Sequence, residues 1–253
     1  MKLLLKPFHY LYSIWALLSF VAIMLIILPF VFIASFFGHV RGGNMIIGLC
    51  RLWADTWFPL IGIWFRYIYE APHDRKRPFI FVSNHISYLD AAILCKAFRQ
   101  PFRPLAKAEM GKVPVFGYIY KNAVVSVQRD NPAHRAKSVR VLSSLTKKGI
   151  SVLVFPEGTF NMGTKPLRDF YDGAFRVAIE TQTPIKPVLF LDGYNRMHYG
   201  TVFSICPGPC RIVYLEEVPV AGMSAEDLPA LKEKVYRIME QKLREYKAAW
   251  IKD

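Results

Sequence analysis

Phe79-Ile80-Phe81-Val82-Ser83-Asn84-His85-Ile86-Ser87-Tyr88-Leu89-Asp90, running on into Ala91-Ala92-Ile93-Leu94-Cys95-Lys96-Ala97, is the most informative segment of this 253-residue chain. Phe79–Ser83 is a short apolar run of strand length, and Asp90–Ala97 reads as a helix after a turn. Strand, turn and helix in this order place His85 and Asp90 at the C-terminal end of a strand, where open α/β sheets bind ligands.

The same grammar continues downstream. Ala123–Gln128 reads as a strand, and Asn131-Pro132 opens a helix with an N-cap and a first-position proline, closed by Gly149. Ile150–Phe155 is a third strand, Gly173–Thr181 a helix, Pro187–Leu191 a fourth strand and Arg211–Leu215 a fifth. Ser224-Ala225-Glu226-Asp227 fits a capping box, with Leu228, Leu231, Val235, Ile238 and Leu243 following at helical spacing. The alternation predicts an α/β layered fold, with a largely parallel central sheet flanked by helices.

Upstream the chain changes character. No charged residue occurs from Tyr10 to Phe37. That exceeds the roughly 20 residues needed to cross a bilayer, so the segment is expected to tilt, kink at Pro29 or lie partly in the interface. A span and a re-entrant hairpin both fit. From Asn44 to Tyr69, Trp53, Trp57 and Trp64 mix with isolated Arg51, Asp55 and Arg66, the pattern of an interfacial amphipathic helix; a core-packing helix is the alternative. The charged, proline-bearing Ala71–Pro78 stretch then breaks the pattern. Residues 1–70 are therefore expected to be an N-terminal membrane-associated helical segment, and residues 71–253 the main domain.

The composition agrees with this division. It is 53% hydrophobic with a net charge of +14, which implies apolar surface facing lipid and an anionic partner. Nucleic acid is not the expected partner: no recognition signature is present, and the aromatics concentrate in the apolar N-terminal part. Cys50, Cys95, Cys206 and Cys210 lack metal-ligand spacing and are read as reduced thiols facing the cytosol.

A histidine at a strand end can serve as general base near neutral pH, and a carboxylate one helical turn on can hold its tautomer. No G-x-S-x-G elbow accompanies His85 and Asp90, so the attacking group would be a substrate hydroxyl. A second turn, Val154-Phe155-Pro156-Glu157-Gly158-Thr159, follows another strand. Pro156 stops the strand, Gly158 allows close backbone approach, and main-chain N–H groups there could face a developing oxyanion.

Together these residues resemble the glycerolipid acyltransferase family, which contains the bacterial and plant 1-acyl-glycerol-3-phosphate acyltransferases. Four ordered blocks match: Asn84-His85 with Asp90; Lys107-Ala108-Glu109 with Pro114 and Gly117, then Val125–Arg129; Phe155-Pro156-Glu157-Gly158-Thr159; and Pro184-Ile185-Lys186-Pro187-Val188. The resemblance implies that residues 71–253 are an acyltransferase catalytic domain. In it His85 takes the acceptor hydroxyl proton, Asp90 orients His85, Lys107 and Arg129 bind the acceptor phosphate, and Glu157, Gly158 and Thr159 shape the acceptor site. It implies acyl-CoA or acyl-carrier protein as donor substrate, no cofactor and no metal, because the thioester is already activated.

The implied partners are membrane lipid and a lysophospholipid acceptor, and the implied location is a bacterial inner membrane with the site on its cytoplasmic side. One position departs: the family places Arg after F-P-E-G-T, and this chain has Phe160. O-acylation of a lyso-aminolipid by the same His–Asp mechanism is therefore a second expectation. A non-enzymatic basic membrane-associated lipid-binding protein is a third, from a different class.

Overall fold

The structure, a computed structural model, describes residues 6–113, 115–128 and 131–252. The chain begins with α1 (Lys6–Ser35), a π-helical link (Gly38–Gly42), α2 (Gly43–Leu60) and β1 (Ile63–Tyr69). There follow β2 (Ile80–Ser83), α3 (Asp90–Ala97), β3 (Phe102–Lys107), α4 (Phe116–Ala123), β4 (Val125–Val127) and α5 (Pro132–Thr146). The remainder is β5 (Ser151–Val154), α6 (Gly173–Thr181), β6 (Ile185–Phe190), α7 (Gly193–Arg196), β7 (Gly208–Tyr214) and α8 (Leu228–Glu245).

Seven strands form one sheet in the order β1-β7-β6-β2-β5-β3-β4. Every neighbouring pair is parallel except β6 and β7. β2, β5 and β6 are buried at every residue, as strands covered on both faces must be. Period-two alternation sorts their side chains into two cores. Phe79, Phe81, Leu153, Val188 and Phe190 face the layer containing α2 and α3, while Ile80, Val82, Val152, Leu189 and Leu191 face α6 and α8. The result is a helix–sheet–helix sandwich in which the ends of β2, β5 and β3 share one edge.

The downstream expectations hold well. α3 and α6 have the predicted ends, and the Asn131 side chain accepts from the Ala133 and His134 N–H groups as an N-cap should. The capping box before α8 is formed by Ser224 and Asp227.

The segment from Asn44 to Tyr69 departs from a single helix. α2 stops at Leu60, Gly62 takes φ +61°, and Ile63–Tyr69 becomes an edge strand paired with β7. β1 thus belongs to the sheet rather than to an anchor. Its residues Ile63-Trp64-Phe65-Arg66-Tyr67 alternate between inward and outward faces, a strand period that isolated charges had disguised.

α2 itself is a packing helix. Trp53 and Trp57 are buried, and their Nε1 groups donate to the Phe20 and Ala16 carbonyls of α1 at 3.2 and 2.9 Å. Its Asp55 receives Lys96 and Arg99 from the α3 side.

α1 is long and apolar enough to cross a membrane, and only 28% of its most hydrophobic window is buried within the protein. One side lies on the domain: Ser13 Oγ donates to Phe203 O at 2.8 Å, and Ser35 Oγ meets Tyr118 Oη at 2.8 Å. The other side exposes Leu11, Leu18, Ile26 and Phe30. An apolar stripe of this length is a membrane-associating surface. The bend after α1 is held by buried Arg103, whose guanidinium donates to His39 O and Val40 O at 3.0 and 3.1 Å.

Candidate active site

β2 ends at Ser83, and the chain turns at once. The Asn84 side chain braces the exit: its Nδ2 donates to Phe190 O and its Oδ1 accepts from Phe190 N, both at 2.9 Å. That pair of hydrogen bonds between neighbouring strand ends fixes the start of the His85 turn. Ser87 Oγ closes the far side by accepting from Leu89 N at 3.0 Å and donating to Met197 O.

Asp90 is fully buried at the start of α3. Its Oδ2 accepts three hydrogen bonds, from His85 Nδ1 at 2.9 Å, Ile86 N at 2.7 Å and Ser87 N at 2.9 Å. Two main-chain donors on the same oxygen make it an obligate acceptor, so the proton between the pair resides on His85 Nδ1. Nε2 is thereby left as the basic nitrogen. Asp90 Oδ1 has no hydrogen-bond partner among the described residues. It faces Gly193 at the start of α7, where an added Cβ would come within 2.7 Å of it.

The second turn joins the first through Glu157. This side chain is buried, with Oε1 accepting from His85 N at 2.8 Å and Oε2 from Arg168 N at 2.9 Å. Burial pushes its carboxyl up to about 8, against the two N–H donors that favour the charged form. Glu157 therefore braces the main chain of His85. Gly158, at φ +72°, donates its N–H to Phe155 O at 3.0 Å, so that N–H is committed to the turn rather than offered to an oxyanion. Thr159 is exposed beyond it. Asn161 N returns to His85 O at 2.8 Å and ties the following loop to the same turn.

Lys107 is exposed at the end of β3, on the sheet edge it shares with the ends of β2 and β5. Arg129, like Pro114, lies outside the described residues. Two residues beyond the sequence-based set touch the His85 imidazole directly. The Phe155 ring stacks on the His85 imidazole at 4.2 Å and 15°, and Phe160 meets it edge-on at 4.3 Å and 62°. The local signal for Phe155 was its place in the Phe-Pro-Glu-Gly-Thr turn; nothing in the sequence indicated that Phe160 folds back onto His85.

Comparison with known proteins bears on this geometry. Residues 66–191 match the family profile described as Acyltransferase. Human 1-acyl-sn-glycerol-3-phosphate acyltransferase alpha is 30% identical over 173 residues, covering 67% of this chain and 60% of the human protein. A Limnanthes alba 1-acyl-sn-glycerol-3-phosphate acyltransferase is 29% identical over 202 residues, covering 78% of this chain and 66% of that protein. The matched region thus spans less than two thirds of these relatives. The crystal structure of the 1-acyl-sn-glycerophosphate (LPA) acyltransferase PlsC from Thermotoga maritima superposes with a TM-score of 0.71 at 24% identity, covering 96% of this chain and all of that one. That likeness extends the shared fold to nearly the whole molecule, N-terminal helices included. On the matched sequence, which contains both turns at the strand ends, this chain belongs to the glycerolipid acyltransferase family.

Proposed function

We propose that this protein transfers an acyl group from a thioester, acyl-CoA or acyl-carrier protein, to the sn-2 hydroxyl of 1-acyl-sn-glycerol-3-phosphate, giving phosphatidic acid. The observation that carries the reading is the His85 Nδ1–Asp90 Oδ2 contact, which leaves Nε2 as a base. The acceptor oxygen attacks the thioester carbonyl carbon while Nε2 takes its proton. The carbon–sulfur bond breaks, and the thiolate leaves with the proton returned by the imidazolium. Ester and free thiol are the products. Asp90 holds the ring and stabilises its charged form, a contribution of the general-base kind worth about 10²- to 10⁴-fold.

Lys107 and Arg129 are the proposed phosphate ligands, with Gly158 and Thr159 bordering the acceptor. The named relatives support the substrate class, since both act on 1-acyl-sn-glycerol-3-phosphate. Both thioester donors are acidic, and the net charge of +14 favours either. Donors made in the cytosol argue for a site on the cytoplasmic side of a bacterial inner membrane. Phe160 beside the base favours a second reading, O-acylation of a lyso-aminolipid that lacks the phosphate.

The test is thiol release by purified, detergent-solubilised protein from acyl-CoA and from acyl-carrier protein. Lysophosphatidic acid and a lyso-aminolipid serve as acceptors. Turnover with lysophosphatidic acid that falls at least about 10²-fold in His85→Ala is the expected result. Equal activity in His85→Ala sinks the mechanism, and turnover with the lyso-aminolipid alone moves the function to the second reading.

A further inference from the structure

Asp90 is held from two directions. On the side of its own turn, Oδ2 accepts from His85 Nδ1, Ile86 N and Ser87 N. On the other side stands α7, which follows directly on β6 and opens with buried Gly193. A Cβ at this position would come within 2.7 Å of Asp90 Oδ1, 3.3 Å of Ser87 Cβ and 3.6 Å of Ile93 Cδ1. The φ of Gly193 is not positive, so its main chain suits any L residue. What the position requires is space.

Neither partner is free to give way. Turning the Asp90 carboxylate would draw Oδ2 off two buried main-chain N–H groups. α7 is fixed as firmly: Asn195 N and Arg196 N donate to Asp192 O at 3.0 and 2.9 Å, and Met197 N to Gly193 O at 2.9 Å. Asp192 Oδ2 accepts from Arg211 N and Nε at 2.8 and 2.9 Å, and its Oδ1 from a second guanidinium nitrogen at 2.8 Å. That bidentate pair fastens α7 to β7. Met197 O accepts from Ser87 Oγ, which closes the circuit back to the His85 turn. A run of contacts thus leads from Arg211 through Asp192, Gly193 and Asp90 to the imidazole.

We propose that Gly193 is a positioning residue for the reaction. By standing bare against Asp90 Oδ1, it keeps the carboxylate where Oδ2 serves His85 Nδ1 and both main-chain donors, and the Asp192–Arg211 pair keeps Gly193 in place. This rests on the acyltransferase reading above, in which His85 is the base, and adds to it an arm that the His85–Asp90 turn does not itself supply. Misplacing a reacting geometry by about 1 Å costs up to about 10²-fold in rate. α7 meets Asp90 through the oxygen that the imidazole does not use, so the effect falls on kcat rather than on KM.

The experiment pairs steady-state kinetics with nitrogen NMR of histidine-labelled, full-length protein in detergent, the His85 signals being assigned with His85→Gln. Gly193→Ala should lower kcat with 1-acyl-sn-glycerol-3-phosphate by about tenfold or more while KM stays within about threefold. In the same variant, part of the neutral His85 population should move its proton from Nδ1 to Nε2. Gly173→Ala, where an added Cβ meets nothing within 4 Å, is the control and should change neither readout. Should Gly193→Ala fail to fold, Arg211→Met loosens α7 without adding bulk at Asp90; the same tautomer change is expected, with a fall in kcat of about threefold or more. A folded Gly193→Ala protein with wild-type kcat, or with a lowered kcat and the wild-type tautomer, overturns the proposal and leaves the acyltransferase reading standing. A wild type that turns over neither acyl-CoA nor acyl-carrier protein overturns that reading, while the tautomer comparison still decides whether Gly193 sets the carboxylate.

Discussion

The turn around His85 and the helix α1 obey opposite rules of burial. At the turn, polar side chains are the buried ones: Asn84, Ser87, Asp90 and Glu157 are shielded from water and hydrogen-bonded to main chain. Along α1, large apolar side chains are the exposed ones, Leu18 at 64% and Ile26 at 66%. Each inversion costs free energy in water, since buried polar groups lose hydration and exposed apolar groups order it. The first is offset by hydrogen bonds between main chain and each of these side chains, and the second is removed when lipid replaces water. One region spends stability on geometry, whereas the other keeps an apolar surface suited to lipid.

The contrast can be broken first at Asp90. Asp90→Asn keeps the shape but turns an acceptor that serves three donors into an amide that can clash with one of them. Activity should fall by about 10²-fold or more, with a loss of about 2 kcal/mol in urea unfolding. Full activity in this variant would mean that the buried carboxylate is not the support of the base.

The apolar region is tested next. Leu18→Asp and Ile26→Asp together add two charges to the exposed face, each costing about 3 kcal/mol in the bilayer centre, or about 100-fold in partition. Co-flotation with anionic vesicles should be lost while the thermal melt in detergent stays put. A double variant that still floats would show that the stripe is not the membrane contact.

A smaller effect is expected at Lys107, because it is exposed. Lys107→Met should raise KM for lysophosphatidic acid by no more than about fivefold with kcat kept, the scale of a solvent-exposed ion pair. A loss of two orders of magnitude would instead place a desolvated phosphate against it.

The subtlest test concerns Glu157. Burial pushes its carboxyl up to about 8 in the folded protein, above the roughly 4.3 of a free glutamate, so the folded state holds the proton more tightly. The associated stability is full below the unfolded value and is lost as pH rises through the folded one. Between pH 5 and 8 the wild type should lose stability steadily, and Glu157→Gln should show a flatter profile from a lower starting point. Parallel profiles would remove Glu157 as the source.

Much of this was legible in sequence because it is local. His85 and Asp90 lie in one turn, five residues apart, a spacing short enough for a single turn to bring the imidazole to the carboxylate. α6 and the capping box before α8 are equally short-range. Other elements escaped because their evidence lies far along the chain. β3 contains Arg103 and Pro104, both poor strand signals; Arg103 is buried because the carbonyls of His39 and Val40 come to meet it. β1 reads as a strand when β7 lies beside it, and as an interfacial helix when it does not.

Residue periodicity and turn chemistry by themselves determined the layered α/β class, the long apolar N-terminal segment and the histidine–carboxylate pair. These depend on steric and hydrogen-bonding preferences that act over a few residues. Tertiary structure decided that Trp53 and Trp57 face α1, that Glu157 holds the main chain of a residue 72 positions away, and that Phe160 closes on the His85 ring. Burial and contact are properties of what a side chain meets, and for these residues the partner is supplied by a distant part of the chain.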